Sequence, residues 1–399
     1  MKRFTAFDPP EYVDWSPDPD VMAGFRATIT ENPDRRQRIE SLDDEALARL
    51  YAGMLRFRLH DIALKRWVRQ GVISKAWLGT GEEAVTVGNV HALAAGDVVG
   101  PMIRNAGACH EMGMKLIDLF RAYLGTASQI TRGRDLHTGD PALGVLPPIS
   151  FVASLVPVMA GVALGAKMRG ESRVCLTWVG DGASRTAEFH EACNLAAVQR
   201  LPLVVVLQDN GVALGTPTQV HSRAPLTELA GAYGVTGLAC DGNHVLDVWA
   251  ATMDAAARCR QGGGPVFLVA RTFRMGGHAT HDEAEARALF PPSTFDHWGR
   301  RDPVGMFETW LIDPAEPLAG GATSPEARRE SRRAWLAAIE ARVSAEIDEA
   351  AAEALSSRDH DMPDERSLLA GVTLTGPARE SGPIFPSIRP GATGATLTN

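Results

Sequence analysis

The stretch SRVCLTWVGDGASRTAEFHEACNLAAVQRLPLVVVLQDN, residues 172–210, decides the fold. It opens on an apolar run, SRVCLTWVG, that has the length and composition of a buried strand. GDG breaks that run, AEFHEACNLAAVQR follows at helical periodicity, and LPLVVVLQDN is a second strand, apolar on both faces. A strand with no polar face has to be covered twice, as in a parallel sheet between two layers of helices. The alternation continues outward. SLVPVMAGVALGAKMRG reads as a buried helix rich in small residues, and LACDG, HVLDVWAATMDAAARCRQ and GPVFLVARTF repeat strand, helix, strand. The fold class expected is α/β, a parallel sheet with helices on both faces.

Three segments are expected. Residues 1–45, rich in Pro, Asp and Arg, read as an extended N-terminal arm. Residues 46–345 form the α/β domain. It begins in a long amphipathic helix, DDEALARLYAGMLRFRLHDIALKRWVRQG, which stops at Gly71, followed by a helix around GEEAVTVGNVHALAAG and a short strand DVVGPM. A charged amphipathic helix runs over about 326–356, and residues 346–399 hold its end and a Gly/Pro/Ser/Thr-rich tail, read as flexible or ordered by a partner.

The totals exclude several classes. A net charge of −8 over 399 residues leaves no basic surface to make nucleic acid the main partner. No apolar run of about 18 residues could span a membrane. The opening MKRFTAFDPPEYVDW has basic residues without an apolar segment behind them, unlike a signal peptide. The five cysteines, Cys109, Cys175, Cys193, Cys240 and Cys259, form no CxxC pair. That argues against a disulfide framework or zinc site and points to a reducing cytoplasm.

The chemistry lies at the strand ends. Asp181 stands between Gly180 and Gly182 where the first strand stops, and Asn210 stands at the end of the next. Ligands of open α/β sheets bind along that carboxyl edge. Two oxygen side chains on neighbouring strand ends suit Mg²⁺, a hard cation often shared with phosphate. The glycines let the backbone come close, and the following helix N-terminus favours an anion. Each element alone is an ordinary turn or cap; together they read as a site for a metal-bound diphosphate. GTGEEA at 79–84 superficially fits a dinucleotide pattern, but no convincing strand precedes it, so NAD binding there is rejected.

GDG, 26 intervening residues and then Asp209-Asn210 resembles the thiamine diphosphate signature, whose usual ending is NN. The wider chain, from about 46 to 345, is similar to the E1 α subunit of 2-oxo acid dehydrogenases. VLPPISFVASLVPVMAGVALGAKMRG, GVALGTPT, DGNHVLDVWAAT and ARTFRMGGHATHD carry the match in order. The resemblance implies the thiamine diphosphate-binding fold, with Mg²⁺ held by Asp181, Asn210 and the carbonyl of Val212. It further implies Gly182 and Ala183 against the diphosphate, Arg104 paired with it, and His278, on a loop over the active site, as a catalytic residue that also contacts the diphosphate. Glu83 would lie near the pocket. The implied reaction is oxidative decarboxylation of a 2-oxo acid with acyl transfer to a lipoyl carrier. The implied partners are a β subunit in an α2β2 assembly and the lipoyl domain of the E2 acyltransferase.

The sequence also departs from that pattern. Gly276 and Gly277 precede His278 where a second histidine is frequent. Ala279 replaces a regulatory serine, so phosphorylation at that position is excluded. Gln208 replaces a basic residue of some branched-chain members. Leu155 replaces a glutamine, which weakens the case for potassium, and ASRTAEF follows GDG in place of a QG-type turn. Pyruvate is the favoured substrate, with branched-chain 2-oxo acid or acetoin dehydrogenase as the alternatives. A non-catalytic assembly subunit is the alternative of another class.

Overall fold

The computed structural model describes residues 4–316 and 324–370. Five parallel strands make the central sheet: β1 (Val98–Gly100), β2 (Cys175–Gly180), β3 (Leu203–Asp209), β4 (Thr236–Asp241) and β5 (Val266–Arg271). Their spatial order is β1-β2-β3-β5-β4. The helices that matter here are α1 (Asp44–Arg69), α2 (Glu83–His91), α3 (Leu116–Leu124), α4 (Leu155–Met168), α5 (Ala187–Val198), α6 (Val245–Arg260) and α7 (Pro325–Ser357).

β3 shows why the sheet is covered twice. Leu203, Val205 and Leu207 join one core with Met159 of α4 and Phe189 and Cys193 of α5. Val204 and Val206 join the opposite core with Val248, Ala251 and Ala255 of α6. All five β3 side chains are fully buried, each stabilising by about 1.5–3 kcal/mol relative to exposure. A third core packs α1 against α7, through Met54, Leu55 and Phe57 with Leu336, Val343 and Ile347.

The register aligns the strand ends. Gly180 sits beside Gln208, and Asp209 beside Arg271. Asp181 and Asn210, the next residues of β2 and β3, therefore leave the sheet at its carboxyl edge, one residue out of step in register.

Two expectations need correction. The arm is helical: Pro10–Val13, Pro19–Glu31 and Pro33–Glu40 each begin with a proline, whose fixed φ suits the first helical position. Asp18 and Asn32 cap the second and third of these helices. The arm is also packed, with the Phe25 ring stacked on His244 at 3.5 Å. Helix α4 is buried along one face only; its Val158 and Met168 are exposed. The tail read over 376–399 lies outside the described residues.

Candidate functional site

Asp181 follows β2 and is almost wholly buried. Its Oδ2 accepts a hydrogen bond from the Thr218 hydroxyl and lies 3.4 Å from His221 Nε2. The Ser184 hydroxyl donates to the Asp181 carbonyl at 2.6 Å and fixes the turn into α5. Thr218 and His221 lie beyond a two-stranded hairpin, Val212–Ala213 with Thr216–Pro217, that follows β3. Gly211, at φ +82°, turns the chain into that hairpin. The hairpin closes on Gly182 so tightly that a Cβ there would stand 2.3 Å from the Ala213 Cβ. Gly182 is thus required by the close approach of the Ala213 methyl.

Asn210, also buried, donates through Nδ2 to Glu82 Oε1 at 2.9 Å and accepts from the Val212 amide at 3.3 Å. Val212 is buried beside it. Glu82 is fully buried, and its Oε2 has no hydrogen-bond partner among the described residues. That oxygen lies 4.0 Å from Arg104 Nη1. Arg104 donates to the Leu78 carbonyl at 3.2 Å and to the His278 carbonyl at 3.1 Å, and its Nη2 lies 3.1 Å from His278 Nδ1.

A second guanidinium, Arg274, donates to the carbonyls of Leu214 at 3.1 Å and Gly276 at 3.3 Å. Leu214 holds a positive φ of 55°, a conformation a leucine rarely adopts, and its carbonyl is the one Arg274 grips. Burial, then the charge of Arg104, pull the Arg274 pKa down to about 10, while Glu82 and Asp181 act the other way. Arg274 stays charged at neutral pH. Two buried cations thus share one site with two buried carboxylates.

Burial, then Arg104 and Arg274, push His278 down to about 4. It is neutral at pH 7. With Nδ1 facing the Arg104 donor, its proton belongs on Nε2, which leaves that nitrogen able to donate.

The oxygen set at the strand ends is one carboxylate, one amide oxygen and the Val212 carbonyl. Such a set suits a hard cation that completes its shell with phosphate and water oxygens. Among the described residues no group of three or more His, Cys, Asp or Glu side chains could hold a metal by itself. Arg104 and Arg274 supply the positive charge a diphosphate needs, and Gly182 supplies bare backbone. The residues present therefore fit a magnesium-bound diphosphate. Beside them opens a cavity of about 270 Å³ whose wall includes Arg104, His278, Ala183, Val152 and Trp178.

Arg104, Asp181, Gly182, Ala183, Asn210, Val212 and His278 all lie at this carboxyl edge or along this cavity. Glu83 lies elsewhere. Its carboxylate pairs with buried Arg58 and accepts the Gly81 amide at 3.0 Å, and Arg58 also reaches Asp302 at 3.0 Å. The neighbouring Glu82 is the carboxylate at the site. Glu82, Arg274, Thr218 and His221 were not anticipated. Glu82 and Glu83 adjoin at the start of α2, and the non-helical turn at Glu82 decides which one faces Asn210. Leu155 lines the cavity, and Gln208 is fully buried, accepting from Asn105 at 3.2 Å.

A family model described as "Dehydrogenase E1 component" matches residues 51–362. The α2 subunit of mitochondrial 2-oxoisovalerate dehydrogenase from Arabidopsis thaliana is 28% identical, over 68% of this chain and 58% of its own length. The α subunit of acetoin:2,6-dichlorophenolindophenol oxidoreductase from Bacillus subtilis is 30% identical, over 84% of this chain and 96% of its own. The α subunit of the pyruvate dehydrogenase E1 component from Acholeplasma laidlawii is 30% identical, over 68% and 77%. The chain therefore spans less than two thirds of the Arabidopsis relative and nearly all of the Bacillus one. Among the described residues no helix is long and apolar enough to cross a membrane. With a match that takes in every strand of the sheet and both strand-end oxygens, the chain belongs to the dehydrogenase E1 component family.

Proposed function

We propose that this chain is the α subunit of a 2-oxo acid dehydrogenase E1, which decarboxylates a 2-oxo acid and passes the acyl group to a lipoyl carrier. The family depends on thiamine diphosphate. In this reading Asp181, Asn210 and the Val212 carbonyl hold Mg²⁺ on its diphosphate, Arg104 and Arg274 pair with the phosphate oxygens, and Gly182 and Ala183 offer backbone. The observation that carries the reading is Asp181 and Asn210 at the ends of adjacent strands, buried together with two guanidinium groups.

The cofactor would supply the carbanion chemistry of decarboxylation. The chain's own residues do the rest. Arg104 holds His278 through two contacts of 3.1 Å, so the imidazole stays over the cavity as a neutral Nε2–H donor. That donor suits a carboxylate or oxo oxygen of a 2-oxo acid. Trp178 and Leu155, both buried, give the cavity an apolar wall on the side of the sheet.

One sheet with one diphosphate edge accommodates one end of the cofactor. The relatives are named as α subunits, which implies a β subunit as partner. We place the other end of the cofactor on that subunit, in an α2β2 assembly that serves an E2 lipoyl domain. Pyruvate is the favoured substrate. The Bacillus relative, aligned over almost its whole length, favours acetoin as the second reading. Co-expression with a cognate β subunit and an artificial electron acceptor tests this against pyruvate, branched-chain 2-oxo acids and acetoin. Oxidation of a 2-oxo acid that needs both subunits supports the reading; a complex that binds the cofactor and oxidises none of them overturns it.

A further inference from the structure

The N-terminal arm packs against the back of the segment that carries Arg274 and His278. Tyr12 is fully buried in a cluster with Phe273, Met275 and Phe295. Phe273 and Met275 flank Arg274, and His278 follows three residues later. Next to Tyr12, Glu11 accepts from both terminal nitrogens of Arg287, at 3.1 Å through Oε1 and 2.9 Å through Oε2. Arg287 belongs to the short helix Glu283–Leu289 and covers the Phe295 ring, its guanidinium carbon 4.9 Å from the centroid. Phe295 meets Phe273 edge to face at 5.5 Å. A continuous set of contacts thus runs from Glu11 through Arg287 and Phe295 to the residue that precedes Arg274.

Three glycines leave room for the arm. A Cβ at Gly299 would stand 2.4 Å from the Glu11 Cβ, one at Gly81 would stand 2.9 Å from the Tyr12 hydroxyl, and one at Gly305 would stand 2.9 Å from the Trp15 ring. Gly81 precedes Glu82, so Tyr12 touches the turn that leads to Glu82 as well as the segment that bears Arg274 and His278. Those two stretches also meet directly, the Met275 amide donating to the Thr80 carbonyl at 3.1 Å. The Tyr12 hydroxyl has no hydrogen-bond partner among the described residues, so its ring, by shape, does the holding. Glu11 adds direction, because a two-pronged carboxylate–guanidinium pair fixes orientation as well as distance. The Glu11 side chain is 14% exposed and that of Arg287 39%, so the pair is partly shielded from solvent.

We propose that Glu11 and Tyr12 are positioning residues, through which the N-terminal arm holds the 273–290 segment in place and so sets Arg274 and His278 beside Arg104. Neither side chain lines the cavity. Glu11 acts through Arg287, and Tyr12 through Phe273 and Met275. Without these ties the segment opens locally while the sheet stays folded, since a segment held by few buried contacts opens at lower free energy than the core. The consequence for the cofactor rests on the function proposed above; the hold of the arm on the segment does not.

Two measurements on the full chain in complex with its β subunit test this. Hydrogen–deuterium exchange of peptides spanning 274–290, without cofactor, reads the hold of the arm. Calorimetric titration of thiamine diphosphate with Mg²⁺ reads its consequence. Glu11→Arg sets like charges together and is expected to quicken exchange across 274–290 by about 10-fold, to weaken cofactor binding, and to leave the melting temperature nearly unchanged. Adding Arg287→Glu restores the pair in reverse and should recover most of both readouts. Tyr12→Phe, which removes only the unbonded hydroxyl, should exchange and bind as the wild type does. Exchange equal in the wild type and Glu11→Arg, or no recovery in the reversed pair, overturns the proposal. Quickened exchange with unchanged cofactor affinity overturns the positioning role. A wild-type complex that takes up no cofactor contradicts the proposed function instead, and the exchange comparison then decides the role of the arm by itself.

Discussion

Asn210 Nδ2 donates to Glu82 Oε1 at 2.9 Å, and this buried bond ties the end of β3 to the start of α2. It leaves the other Glu82 oxygen without a hydrogen-bond partner among the described residues and directed at Arg104. Glu82 thereby joins the proposed metal ligand to the proposed phosphate ligand.

Removing that carboxylate should be felt in binding. Hydrogen bonds to charged groups contribute about 1.5–3 kcal/mol, so Glu82→Ala is expected to weaken cofactor binding by roughly 10- to 100-fold. Glu82→Gln keeps an oxygen for Asn210 and should lose less. Calorimetric titration of thiamine diphosphate in excess Mg²⁺ reads both. Unchanged affinity in Glu82→Ala would remove Glu82 from the site.

The adjacent Glu83 should behave in the opposite way. Arg58 is buried between Glu83, Asp302 and the Tyr12 ring, whose centroid is 4.5 Å from the guanidinium carbon. Breaking a buried pair by removing one partner costs about 3–5 kcal/mol. Arg58→Met should therefore lower the melting temperature by several degrees while the protein that remains folded still binds cofactor.

The contact between Gly182 and Ala213 permits a compensation test. A methyl group at 182 would meet the Ala213 methyl at 2.3 Å, so Gly182→Ala must push the hairpin off Asp181 and weaken Mg²⁺-dependent binding. The double variant Gly182→Ala/Ala213→Gly removes the collision and should recover much of the affinity. If the single variant binds normally, the hairpin does not support the site.

Acid should destabilise the fold through a second histidine. Burial, outweighing its bond to Glu111, pushes His110 down to about 4. Burial opposes the shift of Glu111, but hydrogen bonds from His110 and then His91 hold it well below the usual carboxylate range. Between pH 6.5 and 4 the unfolded chain binds the His110 proton and the folded chain does not, so stability falls as pH falls. One proton corresponds to about 1.4 kcal/mol per pH unit. His110→Gln should flatten the slope of unfolding free energy over that window by up to this amount, measured by urea denaturation at several pH values.

Much of this was legible in the sequence because it follows from repetition. The unbroken apolar run at 203–207 required helices on both faces, and GDG with Asp209-Asn210 marked two strand ends. What escaped depended on a local turn or on distance. Glu82 stands just before α2 with non-helical dihedrals and Glu83 is the first helical residue, and that local turn sends one to Asn210 and the other to Arg58. Thr218, His221 and Arg274 reach the site through a hairpin and a loop whose geometry no short-range periodicity encodes. The arm was misread because its prolines suggested an extended chain, whereas three of them open helices.

The central claim is that Asp181 and Asn210 together hold the metal that anchors the cofactor, and one titration tests it most directly. Thiamine diphosphate is titrated into the complex with its β subunit, with and without Mg²⁺, for the wild type, Asp181→Ala and Asn210→Ala. The account predicts saturable binding that requires Mg²⁺ and weakens by about 100-fold or more in either variant, a difference near 2.7 kcal/mol. Binding by Asp181→Ala as tight as wild type, or tight binding in the absence of any divalent cation, would contradict it.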